Sequence, residues 1–188
     1  MDGFFQDWIL SPGHPALTIK TAWTKDLLKV TVTQRQKGDG VPEAYQFPLS
    51  LLIVTENGEQ TVTLPVGERS RTWAIPMEKE PMRVEVDSGF KILANLTVQG
   101  SRKLLTASLK GDSSIVGRIR AAKALAKDGS PKAIAALADA LKNESFWGVR
   151  TEIAAMLGKI GTDATRVALL ACVTDEHPKA RNAIVTAL

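Results

Sequence analysis

The sequence is poor in the residues that build disulfides and metal sites: it has one cysteine and two histidines among 188 residues. The single thiol, Cys172, excludes an internal disulfide, and we expect it to pack in a core in a reducing compartment. Each histidine, His14 or His177, stands alone before a proline. Zinc needs three or four ligands, and a nucleophilic triad needs a histidine within reach. The sequence therefore predicts neither a metal site nor such catalysis.

Long hydrophobic runs are also absent. No apolar stretch approaches the ~20 residues that a membrane-spanning helix requires. The first residues, Met1-Asp2-Gly3, lack the basic start of a secretory signal peptide. A hydrophobic fraction of 44% is typical of a globular chain. We therefore expect a cytoplasmic protein with no membrane partner.

Charge is unevenly divided along the chain. Residues 105–188 carry 12 basic and 8 acidic side chains, which accounts for the whole net charge of +4. A cationic stripe could hold nucleic acid by its phosphates. The sequence has no interleaved aromatic ladder and no recognised nucleic-acid motif beside these cations. We therefore favour a solvated polar face and do not expect nucleic acid as a partner; the stripe would comprise Arg118, Arg120, Lys123, Lys127, Lys132 and Lys142.

The first half of the chain has the period of β-strands. Between Leu17 and Val98 apolar residues alternate in seven short runs, separated by turn residues. Asn57-Gly58 between two such runs is the strongest hairpin signal, because both residues tolerate positive φ. Seven short strands over about eighty residues predict an antiparallel β-sandwich.

The second half repeats itself. Arg118, Arg150 and Arg181 lie 32 and 31 residues apart, and each is followed seven residues later by leucine. A period of about thirty with two helical segments predicts an α-solenoid. We expect its repeats to be of the HEAT or armadillo kind, in line with the family resemblance described below. We expect helices from Ser113 or Ser114 to Lys127, from Pro131, from Phe146 to Ile160, from Thr162 through Val173, and from Pro178. The fold class is therefore an all-β domain followed by an all-α domain.

Two features of the repeats are candidates for an interaction surface. The register arginines Arg118, Arg150 and Arg181 could line a groove for phosphate or carboxylate. The favoured interpretation is structural: each arginine pairs with an acidic side chain or caps the adjoining repeat. Asp112, Glu144 and Asp175 would likewise act as caps and ladder partners between helices, near helix N-termini where the dipole favours negative charge. Phe146 and Trp147 could anchor a partner, although burial between helix pairs is the preferred interpretation.

Several segments of the first half are similar to a known family. The segments are Phe4-Phe5-Gln6-Asp7-Trp8-Ile9, Gly13-His14-Pro15-Ala16-Leu17-Thr18-Ile19, the strand with Trp23, Leu28 to Gln34, and Phe47-Pro48-Leu49-Ser50-Leu51. Together they resemble the gluzincin aminopeptidases of the aminopeptidase N type, at the place where the catalytic domain ends and a β-sandwich begins. Phe47 abuts Pro48, a shorter spacing than the family pattern. Members of the family carry a helical domain after the sandwich, in some cases of HEAT type.

The resemblance implies a non-catalytic fragment. The family's H-E-x-x-H and G-A-M-E-N motifs are absent from the sequence, so no catalytic, cofactor or zinc-binding residue is assigned, and zinc belongs to a catalytic domain outside it. We expect residues 1–14 to end that domain or form a linker, 15–102 to form the sandwich, and 103–188 to form a truncated helical-repeat domain. The expected partners are the catalytic domain itself and a peptide substrate or a protein. The expected role is to orient or wall the substrate cavity; the alternatives are an interaction scaffold from an inactive relative and a nucleic-acid-binding repeat.

Overall fold

The computed structural model describes residues 2–188. Contacts divide the chain into two compact units, Met1–Leu104 and Leu105–Leu188. Each unit has its own hydrophobic core, one built between β-sheets and one between helices. The predicted fold class, a β-sandwich followed by HEAT-like helical repeats, is confirmed.

The first unit begins with a short helical segment and continues as strands. Helix α1 (Asp2–Phe5) leads into a π-helical turn, Gln6–Leu10. The seven predicted strands are all present: β1 (Ala16–Thr24), β2 (Leu27–Gln34), β3 (Phe47–Thr55), β4 (Gly58–Val66), β5 (Ser70–Pro76), β6 (Arg83–Val86) and β7 (Asn95–Gln99).

The strands form two sheets that share one core. The larger sheet has the order β5-β2-β1-β7 and the smaller has the order β4-β3-β6. Inward-facing residues alternate with outward-facing ones, as the period of two predicts. The core is formed by buried side chains of both sheets, including Ile19, Leu28, Val30, Leu49, Leu51, Ile53 and Leu64.

The sandwich is not wholly antiparallel, which corrects the prediction. Strand β7 pairs with β1 in parallel, with Ala16 opposite Asn95 and Lys20 opposite Gln99. The reason is connectivity: β7 follows β6 of the other sheet through residues 87–94 and enters beside the start of β1. The amide of Asn95 donates to the carbonyl of Pro15 at 2.9 Å, which aligns the two strand starts.

The hairpin predicted at Asn57-Gly58 is confirmed, since β3 and β4 pair with Thr55 opposite Gly58. Only Gly58 takes a positive φ there, of 127°. A second tight hairpin joins β1 and β2, with Thr24 opposite Leu27. Its two turn residues, Lys25 and Asp26, both have positive φ, of 42° and 62°, although neither is glycine.

The second unit consists of helical hairpins. Its helices are α2 (Arg102–Gly111), which begins three residues before the unit boundary, α3 (Ile115–Asp128), α4 (Pro131–Asn143), α5 (Trp147–Ile160), α6 (Asp163–Leu170) and α7 (Pro178–Ala187). Side chains of Ser114, Ser130 and Thr162 accept amide hydrogen bonds at the starts of α3, α4 and α6. Gly129 and Gly161 end α3 and α5 in the left-handed conformation, which only glycine adopts without cost.

Two helical boundaries differ from the sequence prediction. Helix α2 is additional, since we expected the first helix only at Ser113 or Ser114. Helix α6 ends at Leu170, not Val173, because the residues after it form tighter turns with hydrogen bonds between residues three apart. The amide of Cys172 donates to the carbonyl of Leu169, and the amide of Asp175 donates to the carbonyl of Cys172. Such three-residue spacing is typical of the last turn of a helix.

The core of the second unit follows the repeats. Equivalent positions of α3, α5 and α7 hold Ala121, Ile153 and Ile184, all buried. Cys172 packs against this cluster, as expected, and burial raises the pKa of its thiol. Among the described residues, no helix has both the length and the apolar character to cross a membrane.

Candidate functional site

The turns before α3, α5 and α7 share one arrangement, built on the acids that the sequence places in register. A carboxylate oxygen of each acid accepts the backbone N–H of the residue two positions later. The three distances are 2.8 Å each: Asp112 to Ser114, Glu144 to Phe146, and Asp175 to His177. Each of these acceptors satisfies an amide at the N-cap of the following helix, where the helix dipole also favours negative charge.

The first register arginine, Arg118, connects two repeats. Its Nε and Nη2 donate to the two carboxylate oxygens of Glu144 at 2.8 and 3.2 Å. Its Nη1 donates to the backbone carbonyl of Asp112 at 3.0 Å. The guanidinium therefore holds the acid of the next repeat through two parallel bonds and the turn of its own repeat through the third nitrogen.

Arg150 repeats this geometry one period later. Its Nε and Nη2 donate to Asp175 at 2.7 and 2.9 Å, and its Nη1 donates to the carbonyls of Glu144 and Ser145 at 2.8 and 3.0 Å. Both charged side chains are about 93% buried, since 7% of each is exposed. The hydrogen bond to Asp175 raises the pKa of Arg150, against the effect of burial.

The same bond acts on the acid. The hydrogen bond from Arg150 holds the pKa of Asp175 below its ordinary value of 3.8, and the amide of His177 lowers it further. Burial opposes both effects. A carboxylate that receives three hydrogen-bond donors is stabilised in its charged form.

Arg181 completes only half of the pattern. Its Nη1 donates to the carbonyls of Asp175 and Glu176 at 2.5 and 3.4 Å, as in the earlier repeats. Among residues 2–188, no carboxylate lies within ion-pair distance of its guanidinium, and the side chain is exposed. We call Arg118–Glu144 and Arg150–Asp175 the two closed rungs and Arg181 the open rung.

Phe146 and Trp147 lie at the start of α5, and both are half-buried. Phe146 packs against the helical core. Trp147 stacks on His177 with ring centroids 4.6 Å apart and an interplanar angle of 4°. Nζ of Lys179 lies 4.9 Å from the centre of the Trp147 ring, a cation–π distance. The aromatic pair therefore contributes one ring to the core and one to a partly exposed surface.

Sequence reasoning missed the stack of Trp147 on His177. The signal was present, because Trp147 occupies the first position of α5 and His177 the N-cap of α7. Residues at the starts of stacked repeats lie side by side. His177 also accepts the amide of Lys179 through Nδ1, at 3.3 Å, so it caps its own helix.

The remaining candidates have structural roles or no convergent chemistry. His14 Nε2 lies 2.8 Å from the side-chain nitrogen of Asn95. Across residues 2–188, no three His, Cys, Asp or Glu side chains cluster in a way that could hold a metal ion. A groove of about 470 Å³ between α5 and α7 is lined mostly by small side chains, including Ala155, Gly158 and Ala183.

Comparison with known proteins supports the assignment of the repeats. A family model described as HEAT repeats matches residues 102–188. No curated protein matches the chain. Among solved structures, the chain is similar to the crystal structure of Legionella pneumophila aminopeptidase A in complex with aspartic acid, with a TM-score of 0.53 and 15% identity. The similarity covers 91% of this chain but 23% of that one, so the chain spans about a quarter of that protein's length. At this identity the likeness describes the fold.

Proposed function

We propose that the chain is the non-catalytic region that follows the catalytic domain of a zinc aminopeptidase-like protein of the gluzincin type. In this proposal the β-sandwich is a stiff spacer, and the helical repeats orient or wall the substrate cavity of the catalytic domain. Zinc and the catalytic residues belong to that domain, and this chain has no peptidase activity of its own.

The observation that carries the proposal is the structural likeness to an aminopeptidase over 91% of this chain. The likeness spans a sandwich followed by helices, in the order that the segments from Phe4 to Leu51 predict by resemblance. The HEAT match over residues 102–188 agrees with that order. The chemistry of the chain is consistent with a supporting role, because its two histidines are each followed by proline and not by the H-E-x-x-H sequence.

The test begins with the gene that encodes this chain. We expect its reading frame to contain H-E-x-x-H and a more distant glutamate upstream of residue 1. The full product is then compared with a version that lacks residues 105–188, on an aminoacyl-anilide and on longer peptides. If the helical repeats wall the cavity, we expect the deletion to change kcat/KM for longer peptides more than kcat/KM for the aminoacyl-anilide.

Two results would contradict the proposal. Turnover of aminoacyl-anilides by this chain alone with added zinc would show that it is itself an enzyme. A broken or absent zinc motif upstream would favour the second candidate, an interaction scaffold from an inactive relative. A specific observation favours that candidate: Trp147 is only half-buried where it stacks on His177, and tryptophan is enriched at protein-binding hot spots.

A further inference from the structure

Strand β4 has the longest free edge in the sandwich. Of the four strands at the ends of the two sheets, β4 has nine residues, β5 seven, β7 five and β6 four. Among residues 2–188, β4 pairs with β3 alone, in an unbroken register from Phe47 opposite Val66 to Thr55 opposite Gly58. A long, regular edge of this kind is a template for pairing with another strand.

Two prolines determine which backbone groups of β4 point away from the sheet. Pro48 lies opposite Pro65, and neither has an N–H, so this pair exchanges no hydrogen bonds. Hydrogen-bonded and non-hydrogen-bonded pairs alternate along an antiparallel ladder, and the N–H and C=O of one residue point to the same side. In steps of two from Pro65, the polar groups of Thr63, Thr61 and Glu59 therefore point to the free side of β4.

The other side of β3 follows the same alternation. Ser50 lies opposite Thr63, and its carbonyl accepts the amide of Asp87 at 3.0 Å, on the side of β6. The carbonyl of Val54 likewise accepts the amide of Met82, just before β6, at 2.8 Å. Within residues 2–188, no hydrogen bond uses the outward N–H and C=O groups of β4. These groups are therefore available to a further strand.

The β4 edge lacks most features that protect edge strands. Natural edges are blocked by lysine, by inward-facing charges, by bulges or by short strands. β4 contains no lysine or arginine; its one charged residue is Glu59 near its start, and its one proline is Pro65 near its end. Edge strand β5, by contrast, carries Arg71, which lies over the Trp73 ring and binds Glu68. β4 is thus the edge that the sequence leaves open.

The outward groups match those of a second copy of the same strand. When two β4 strands pair antiparallel with Thr61 opposite Thr61, Glu59 lies opposite Thr63. All three outward residues then form hydrogen-bonded pairs, and each pair exchanges two hydrogen bonds. No carboxylate faces another, and opposed threonines stabilise a sheet. A register shifted by two residues would place Glu59 opposite Pro65, which has no N–H to donate.

We propose that the β4 edge is a self-association surface, through which two copies of the chain join their smaller sheets into one sheet of order β6-β3-β4-β4-β3-β6. A second copy is the occupant because the same segment supplies the matching donors and acceptors and opposes no like charges. The two-fold axis passes between the two Thr61 residues, so the contact closes at two copies. The inference does not depend on the proposed aminopeptidase parent.

The test measures association and edge protection on the full chain. Sedimentation velocity is run between about 10 µM and about 1 mM, because an interface of this size is expected to be weak. We expect a monomer that becomes a dimer as concentration rises. Hydrogen exchange followed by NMR should show the amides of Thr61 and Thr63 exchanging fast in the monomer and slowly in the dimer. The amide of Val62, which points to β3, is the internal reference and should be protected at both concentrations.

Two variants at the centre of the contact form a matched pair. Thr61→Pro removes an N–H that β3 does not use, so the sandwich should stay folded. We expect it to raise the dissociation constant of the dimer by roughly tenfold or more, since both bonds of the central pair are lost. Thr61→Ala keeps the N–H and should dimerise nearly as the unchanged chain does. If Thr61→Pro unfolds the sandwich, the exchange data on the unchanged chain decide alone.

Several results would overturn the proposal. One is a chain that stays monomeric at the highest concentration, with the Thr61 and Thr63 amides exchanging fast. Another is a dimer in which these two amides still exchange fast, since its interface would lie elsewhere. Protection of both amides in the monomer would show that the edge is not free. Equal dissociation constants for Thr61→Pro and Thr61→Ala, or assembly beyond two copies, would also contradict the pairing.

Discussion

At the scale of single residues, the Arg150–Asp175 rung shows how a buried charge is tolerated. All three guanidinium nitrogens of Arg150 donate to oxygen, two to the carboxylate and one to the carbonyls of Glu144 and Ser145. Removing charges from water costs several kcal/mol per ion, which only close pairing and full hydrogen bonding offset. The rung therefore links adjacent repeats, and its disruption leaves one charge buried without a partner.

The first prediction follows from this burial. Arg150→Ala should lower the free energy of unfolding by roughly 3–5 kcal/mol, because it strands the buried carboxylate of Asp175. Arg181→Ala is the matched control: it removes an arginine in the same register that is exposed, and we expect a loss of about 0.5 kcal/mol or less. Urea denaturation followed at 222 nm measures both. Equal losses in the two variants would show that the carboxylate pairing contributes nothing.

The second prediction concerns pH. The pKa of Asp175 is lowered in the folded protein, chiefly by the hydrogen bond from Arg150. The stabilisation is therefore complete above the unfolded pKa, near 3.8, and is lost as pH falls through the lower folded pKa. Arg150→Lys should move the pKa of Asp175 upward, since lysine cannot donate two parallel bonds.

Carbon-detected NMR titration of the Asp175 carboxyl between pH 6 and 2 measures this shift directly. If the Asp175 carboxyl titrates at the same pH in the wild-type protein and in the Arg150→Lys variant, the hydrogen-bonded pair is not what holds its pKa down.

At the scale of elements, Gly117 in α3 gives the third prediction. Alanine usually stabilises a helix relative to glycine by about 0.5–1 kcal/mol. A Cβ at Gly117 would collide with the carboxylate of Asp112, which is held by the amide of Ser114. We therefore expect Gly117→Ala to destabilise the chain by about 1–3 kcal/mol, as overpacking does.

A double-mutant cycle isolates the collision. In an Asp112→Ala background the penalty of Gly117→Ala should largely vanish, because the carboxylate is gone. Additive losses in the cycle would mean that the glycine is required for another reason. Thermal unfolding at 222 nm measures all four proteins.

The turn between β1 and β2 gives the fourth prediction. Lys25 and Asp26 both have positive φ, a conformation that costs about 1–2 kcal/mol for most L-residues. Asp26→Gly should raise the free energy of unfolding by roughly 0.5–1 kcal/mol by relieving this strain. Asn57→Gly in the β3–β4 turn is the control, because Asn57 is not among the described residues with positive φ. A gain from both substitutions would contradict the strain argument.

Most elements followed from local rules in the sequence, and the exceptions have physical causes. Alternation located all seven strands, and Gly129 and Gly161 located the ends of two helices. The parallel pairing of β7 was missed because strand direction depends on which sheet the chain leaves, not on the residues of the strand. The early end of α6 was missed because it depends on the turn hydrogen bonds made by Cys172, which the apolar pattern of the sequence does not predict.

For the molecule as a whole, repeat arithmetic placed the arginines and the acids in register but did not predict how they connect. The register contains no information on whether an arginine binds the acid of its own repeat or that of the next. The structure shows that Arg118 binds both. It donates to the backbone carbonyl of Asp112 in its own repeat and to the carboxylate of Glu144 in the next repeat. The stack of Trp147 on His177 depends on the spacing of neighbouring helices and could not be read from either residue alone.

The last prediction concerns nucleic acid. The helical unit has a net charge of +4, but several of its cations are already occupied. Arg118 and Arg150 lie in the closed rungs, and Lys110 and Lys123 lie 2.6 and 4.0 Å from Asp139 and Glu152. Phosphate binding releases about one counterion per neutralised charge, so the pairing of part of these cations lowers the expected salt dependence. We expect fluorescence anisotropy with a duplex DNA to show no binding that weakens steeply between 50 and 200 mM salt. Tight, salt-dependent binding that Lys127→Glu and Lys132→Glu abolish together would instead establish the cationic stripe as a nucleic-acid site.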